Sequence, residues 1–168
     1  FIYNLFFLFN KNKKYKTSIF LNDASNVDYS YIDKKRIIKI SNHKINTEKF
    51  NLVNHLTKLM KEYNFIMSKK RPDYLFVIGD RYEAFIITII CNFLNIKIIH
   101  IAGGDVSKGA YDDEMRTYIS KSSSFHFVTN TKSKKNLNNL VNDKKKIFNF
   151  GSPSLDYIKK INNLNKKE

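Results

Sequence analysis

Apolar and polar positions along this chain follow two different periods. Short apolar runs at 74–78, 97–101, 125–129 and 147–150 are rich in Ile, Val, Phe and Tyr, the composition of strands buried in a sheet. Residues 47–69 instead place Phe50, Val53, Leu56, Leu59, Met60, Tyr63 and Met67 at helical spacing. Thr47 can cap that helix, although no acid follows at the third position. Arg71-Pro72-Asp73 then breaks the chain before the run 74–78, which reads as a strand covered on both faces.

From there the elements alternate. A helix over about 82–94 leads to the strand at 97–101 and to a glycine loop over 102–111. A helix opening at Asp112, the strand at 125–129, a helix over 131–141 and the strand at 147–150 follow. Gly151-Ser152-Pro153 ends the last strand and starts a final helix, and two shorter β-prone runs lie at 16–21 and 37–41. Strands and helices in alternation with short loops predict an α/β fold with a parallel, doubly wound, Rossmann-like sheet. No internal repeat is visible, and the tail 161–168 is polar.

The chain opens on Phe1 and an apolar run to Phe9. No basic segment precedes the run and no small-residue cleavage site follows it, which argues against a signal peptide. Nine residues also fall short of the ~20 that span a bilayer. The expected element is a helix whose start has been cut away, in a piece of a longer protein.

Composition changes this picture little. The formal charge is +15, which invites a nucleic-acid partner. The cations argue against one, because only Arg36, Arg71, Arg81 and Arg116 are arginines and the lysines scatter beside Asn and Ile. Runs such as 11–16 and 144–146 sit next to turn residues, so they read as solvated surface. Cys91 is the single cysteine and falls in an apolar helical run. It reads as a small core residue, and its solitude fits a reducing cytoplasm. Neither a metal-ligand spacing nor a cofactor motif appears.

All five glycines (Gly79, Gly103, Gly104, Gly109 and Gly151) lie at or just after strand ends. Acids accompany them at the edge where open α/β sheets bind ligands. Asp80 follows an apolar strand and Gly79, with Arg81 and a helix start beside it to stabilise a negative charge. It reads equally as a carboxylate base and as a cap for the helix from Tyr82. Asp112 and Asp113 open the next helix, and Asp112 lies four residues before Arg116, close enough to pair. One reading is an N-cap with a modest exposed ion pair. The other puts Asp112 beside Asp80 as an acid/base pair, because consecutive βα loops open onto one edge. Gly103, Gly104 and Gly109 could cradle a phosphate, but the spacing matches neither G-x-G-x-x-G nor a P-loop. His100, taken alone, is more often a structural histidine.

Five motifs occur together in order: Arg71-Pro72-Asp73; Gly79-Asp80-Arg81-Tyr82-Glu83; His100-Ile101-Ala102-Gly103-Gly104-Asp105-Val106; Gly109-Ala110-Tyr111-Asp112-Asp113-Glu114-Met115-Arg116; and Gly151-Ser152-Pro153-Ser154-Leu155-Asp156. Over about 70–158 the chain thereby resembles the hydrolysing UDP-N-acetylglucosamine 2-epimerases of the sialic and legionaminic acid branch. Residues 1–69 fit more loosely. The resemblance implies one half of a glycosyltransferase-B-like fold: an N-terminal Rossmann-like domain over 1–152 without its first strand and loop, a crossover helix beginning at 153–168, and a UDP-binding domain beyond this chain. It implies elimination of UDP across C1–C2 to a glycal and hydration with inversion at C2. The sugar would be N-acetylglucosamine or diacetylbacillosamine.

On matching positions Asp80 and Asp112 are the catalytic acid/base residues. Arg81, His100, Gly103, Gly104, Asp105, Asp113 and Arg116 serve substrate binding. No metal or cofactor is implied, and the partners are the UDP-sugar and a second copy in a homodimer, with no nucleic acid and no membrane. Many members carry Glu where this chain has Ala102, which leaves open the group that does its work; Asp105 stands where relatives often have Glu. The competing readings are a non-catalytic UDP-sugar-binding domain and, further off, a glycosyltransferase.

Overall fold

In a computed structural model that describes residues 2–22, 32–40, 49–106, 112–152 and 155, the opening apolar run winds into helix α1 (Ile2–Lys11). Contacts divide the chain into two compact units, Phe1–Leu59 and Met60–Glu168. In the first, β1 (Ile19–Asn22) pairs in parallel with β2 (Ile37–Ile40), from Ile19 opposite Ile37 to Asn22 opposite Ile40. Phe6, Ile19 and Ile32 are buried together, with Ile37 packed against them. A 3-10 turn at Lys34–Arg36 feeds β2, and its free N–H groups are met by Asp33, whose carboxylate accepts from the Lys35 amide at 3.0 Å.

Helix α2 (Lys49–Lys70) forms where the periodicity places it. Its buried line is His55, Leu59, Tyr63 and Met67, each four residues from the last. Val53 and Met60 lie off that line and are exposed. The helix stops at Arg71, whose left-handed φ of 39° and amide bond to Met67 O close the last turn, and Pro72 cannot continue the ladder. The cap expected at Thr47 lies outside the described residues, as do Gly109 and the helix expected after Gly151.

The second unit alternates as the pattern predicts: β3 (Tyr74–Ile78), α3 (Tyr82–Phe93), β4 (Lys97–Ile101), α4 (Asp112–Ser122), β5 (Phe125–Val128), α5 (Thr131–Leu140) and β6 (Ile147–Asn149). The four strands form one parallel sheet in the order β3-β4-β5-β6. Its register sets Val77 opposite His100, and His100 opposite His126. Helix α3 packs on α4, and α4 on α5. The Phe85 and Tyr118 rings meet edge to face at 5.1 Å across the first of these contacts. Ile98, Ile119 and Leu137 are fully buried, each worth roughly 1.5–3 kcal/mol of transfer free energy. Helix α3 ends in a Schellman turn in which Asn95 takes φ 56° and the Ile96 amide reaches back to Cys91 O at 2.9 Å. Cys91 itself is fully buried, and burial pushes its thiol up to about 12.

One expectation changes. β3 is not covered on both faces: Leu75 and Val77 are buried while Tyr74 and Phe76 are exposed. One face of β3 is packed and the other is not, so its side chains alternate between core and surface, as those of β5 partly do.

Candidate functional site

The carboxyl edge of β3 and β4 gathers the charged residues. Gly79 takes φ +71°, its amide donates to Ile101 O at 3.1 Å, and nothing lies within 4 Å of the place a Cβ would occupy. This turn lifts Asp80 off the end of the sheet. There the Asp80 carboxylate accepts from Arg116 Nη2. Arg116 Nη1 donates to Asp113 Oδ1 at 2.7 Å and to the Asp105 backbone oxygen at 2.8 Å. The Arg116 side chain is only 12% exposed, against 19% for Asp80 and 27% for Asp113. One guanidinium therefore binds the loops after β3 and β4 to the first turn of α4, using the fork geometry that suits it to several acceptors at once.

Three pairings differ from the sequence expectation. Asp80 does not take its charge partner from Arg81, whose fork closes on Glu83 instead, with Nη2 to Oε1 at 2.9 Å and Nε to Oε2 at 3.2 Å. The bond to Glu83 raises the Arg81 pKa, and burial raises that of Tyr82. Asp80 does not cap α3 either; Arg81 occupies the cap position and no side chain closes it. Nor does Arg116 pair with Asp112. It turns to Asp113, three residues back, and Asp112 is exposed without an ion pair or hydrogen bond among the described residues.

His100 is fully buried, and both ring nitrogens are engaged: Nε2 with Gly79 O at 2.9 Å and Nδ1 with Ser120 Oγ at 3.0 Å. Burial, aided by His126 and Arg116 nearby and opposed by the Gly79 carbonyl, pulls its pKa down to about 4. The neutral ring has one N–H, and a carbonyl oxygen can only accept. The proton is therefore on Nε2, and Nδ1 accepts from the Ser120 hydroxyl. His100 is thus placed inside the fold, one bond behind the Asp80 turn.

The glycines of the second loop have packing reasons. A Cβ on Gly103 would stand 2.7 Å from His100 Nδ1 and 3.0 Å from Ser120 Oγ. One on Gly104, at φ +79°, would run into the Ser133 carbonyl and stand 2.8 Å from Leu137 Cγ. Both are buried against the helices, an arrangement that explains them without a phosphate. Asp105 is also occupied. Its carboxylate accepts from the Ser133 hydroxyl and, at 3.5 Å, from Asn130 Nδ2. Asn130 caps α5 by accepting from the Ser133 amide at 2.9 Å, and Asn136 Nδ2 donates to Gly104 O at 2.8 Å. Among the described residues no three His, Cys, Asp or Glu side chains gather to hold a metal ion, and no helix is long and apolar enough to cross a membrane.

A family model described as UDP-N-acetylglucosamine 2-epimerase matches residues 12–168. The chain belongs to that family. A Campylobacter jejuni relative named GDP/UDP-N,N'-diacetylbacillosamine 2-epimerase (hydrolyzing) is 35% identical over 123 residues, 73% of this chain and 32% of the relative. The polysialic acid biosynthesis protein P7 of Escherichia coli is 31% identical over 137 residues, 81% of this chain and 35% of its own length. The chain thus spans about a third of the length of these curated relatives. The UDP-GlcNAc 2-epimerase of Neisseria meningitidis, solved bound to UDP-GlcNAc, shares the fold with a TM-score of 0.61 at 21% identity, over 77% of this chain and 37% of that one. The Rickettsia bellii UDP-N-acetylglucosamine 2-epimerase gives 0.62 at 14% identity, over 77% and 34%.

Within the epimerase family, Ala102 marks the position of interest. It adopts φ 61°, a left-handed conformation uncommon for a residue with a Cβ, while its amide donates to Phe127 O at 2.9 Å. Asp105, the nearest acid on the same loop, is tied by its carboxylate to α5. Sequence reasoning did not find Ser120, Ser133 or Asn130, nor the pairing of Glu83 with Arg81. Asn130 and Ser133 carry a readable signal in their N-cap spacing, and Ser120 lies four residues after Arg116 on the same helix face. Glu83 carries none beyond its place in the first turn of α3.

Proposed function

We propose that the protein is a hydrolysing UDP-sugar 2-epimerase whose reaction centre includes the carboxyl edge of this sheet. The observation that carries the reading is the Asp80–Arg116–Asp113 cluster, with the unengaged carboxylate of Asp112 one residue away on α4. Family membership supplies the chemistry: loss of UDP across C1–C2 gives a glycal, and water then adds at C2 with inversion. Such a reaction needs a base for the C2 proton and an acid/base pair for hydration. Asp112, exposed and without a side-chain partner among the described residues, is placed to act as an acid or base on a bound sugar. Asp80, held by Arg116, presents a fixed carboxylate. Arg116 and Asp113 keep it in place, and Arg81 stands at the rim with an exposed guanidinium. The UDP-sugar is N-acetylglucosamine-derived or its diacetylbacillosamine counterpart, as the names of the relatives suggest.

The test is NMR of the full-length gene product with each UDP-sugar in D₂O. Free UDP and a 2-epimerised sugar with deuterium at C2 support the reading. Asp80→Asn and Asp112→Asn should each lower kcat by ~10²-fold or more; near-normal turnover in both removes the acid/base assignment. Ala102, where many family members carry Glu, favours a second reading as a UDP-sugar-binding domain. Tight binding of either nucleotide sugar with no turnover of both would establish that reading instead.

A further inference from the structure

Gly79 and Ser120 come from separate elements and both hydrogen-bond the ring of His100, while Gly103 leaves room for that ring, since a Cβ there would stand 2.7 Å from Nδ1. Gly79 O lies directly before Asp80, at a residue whose left-handed φ redirects the chain. Ser120 sits one turn after Arg116 on α4, and Gly103 begins the loop whose Asp105 carbonyl accepts from Arg116. The residues around His100 thus lie on the same segments as Asp80, Arg116 and Asp105.

We propose that His100 is a positioning residue for the Asp80–Arg116–Asp113 cluster: its Nε2–H holds the Gly79 carbonyl, and so fixes the turn that delivers Asp80 to Arg116, while Ser120 locks the ring in the tautomer that can donate. This deepens the epimerase reading and rests on it for its catalytic consequence. The ring does not touch substrate, since it is fully buried. Its depressed pKa keeps it neutral at pH 7, which the donor–acceptor assignment requires. Gly79 has no side chain to restrain its turn; its amide is held by Ile101 O at 3.1 Å and its carbonyl by His100 at 2.9 Å. Misplacing a catalytic group by about 1 Å can cost on the order of 10²-fold in rate.

The test pairs spectroscopy with kinetics. Long-range proton–nitrogen spectra of the ¹⁵N-histidine-labelled chain at pH 7 should show His100 protonated on Nε2 alone. An Nδ1–H tautomer, or a doubly protonated ring, overturns the proposal. In the full-length gene product, His100→Met removes the donor and should lower kcat per folded molecule at least tenfold with KM changed less than twofold. His100→Gln, whose amide can reach Gly79 O, should recover most of that loss. A merely structural role predicts a lower unfolding midpoint with unchanged kcat, and that result refutes the positioning role. Where His100→Met does not fold, Ser120→Ala decides: loss of the pure Nε2–H signature together with reduced kcat supports the proposal, and an unaltered signature and rate reject it. The backbone amide signal of Asp80 separates the two levels of the argument. If wild-type protein turns over no UDP-sugar, the epimerase reading fails; a His100→Met shift of the Asp80 amide still supports the positioning, and an unmoved one overturns it.

Discussion

Arg116 reaches across 36 residues of sequence to the Asp80 carboxylate and, with its other terminal nitrogen, holds Asp113. Two acids and a carbonyl share one largely buried cation, so removing the cation leaves their charge uncompensated. Arg116→Ala should therefore lower stability by about 3 kcal/mol, read as a reduced urea midpoint with unchanged slope. Arg116→Lys keeps the charge but loses the fork, and should recover only part of that loss.

Asp80 and Asp112 should separate under the same measurement. Asp80→Asn breaks the pair with Arg116 and is expected to destabilise, whereas Asp112→Asn touches no partner among the described residues and should stay within ~0.5 kcal/mol of wild type. Equal destabilisation by both would show that Asp112 has a bond of its own.

The glycines rank by what surrounds them. Gly79→Ala meets open space and carries only the cost of a left-handed Cβ, about 1–2 kcal/mol. Gly104→Ala adds a collision with the Ser133 backbone to the same conformational cost and should be the worse of the two. Thermal unfolding of both variants reads the order directly. The converse change, Ala102→Gly, relieves a left-handed φ of 61° and should not lower the melting temperature, since the relief offsets the added freedom of the unfolded chain.

Acid should weaken the second unit in a defined window. Burial holds both His100 and His126 at about 4, below the usual histidine value of 6.5. Each depressed pKa means the unfolded chain binds the proton first. The stability contributed by the neutral rings is then complete above about pH 6.5 and is lost as pH falls toward 4. The unfolding free energy from urea titrations should fall between pH 7 and 4.5, and should fall less steeply in His126→Gln.

Much of the fold is legible in the sequence. β3 and β4 fall where the apolar runs place them, because five-residue runs bounded by Pro72, Gly79 and Asn95 admit few alternatives. The partner of each charge was not readable. Asp112 and Asp113 both lie within a turn of Arg116, and spacing alone does not say which one the guanidinium faces. The lysine run 144–146 reads as solvated surface and is exposed, but it and the basic stretch 34–36 also share a local structure. Each forms a 3-10 turn closed by a preceding aspartate, Asp33 and Asp143, and each leads straight into a strand. The stretches 33–37 and 143–147 thus repeat one local device that overall composition obscured. The bonding of His100 is hidden for a different reason: its partners Gly79 and Ser120 lie 21 and 20 residues away, and only the folded sheet brings them together.

The burial of Cys91 gives the chain a chemical clock. The thiol is the only one present, has no solvent exposure, and is held far from its reactive thiolate form. A disulfide reagent can modify it only when α3 lifts from the sheet, so the labelling rate counts openings of the unit that carries Asp80 and Arg116. Variants of this chain can be timed by that one sulfur without an engineered probe.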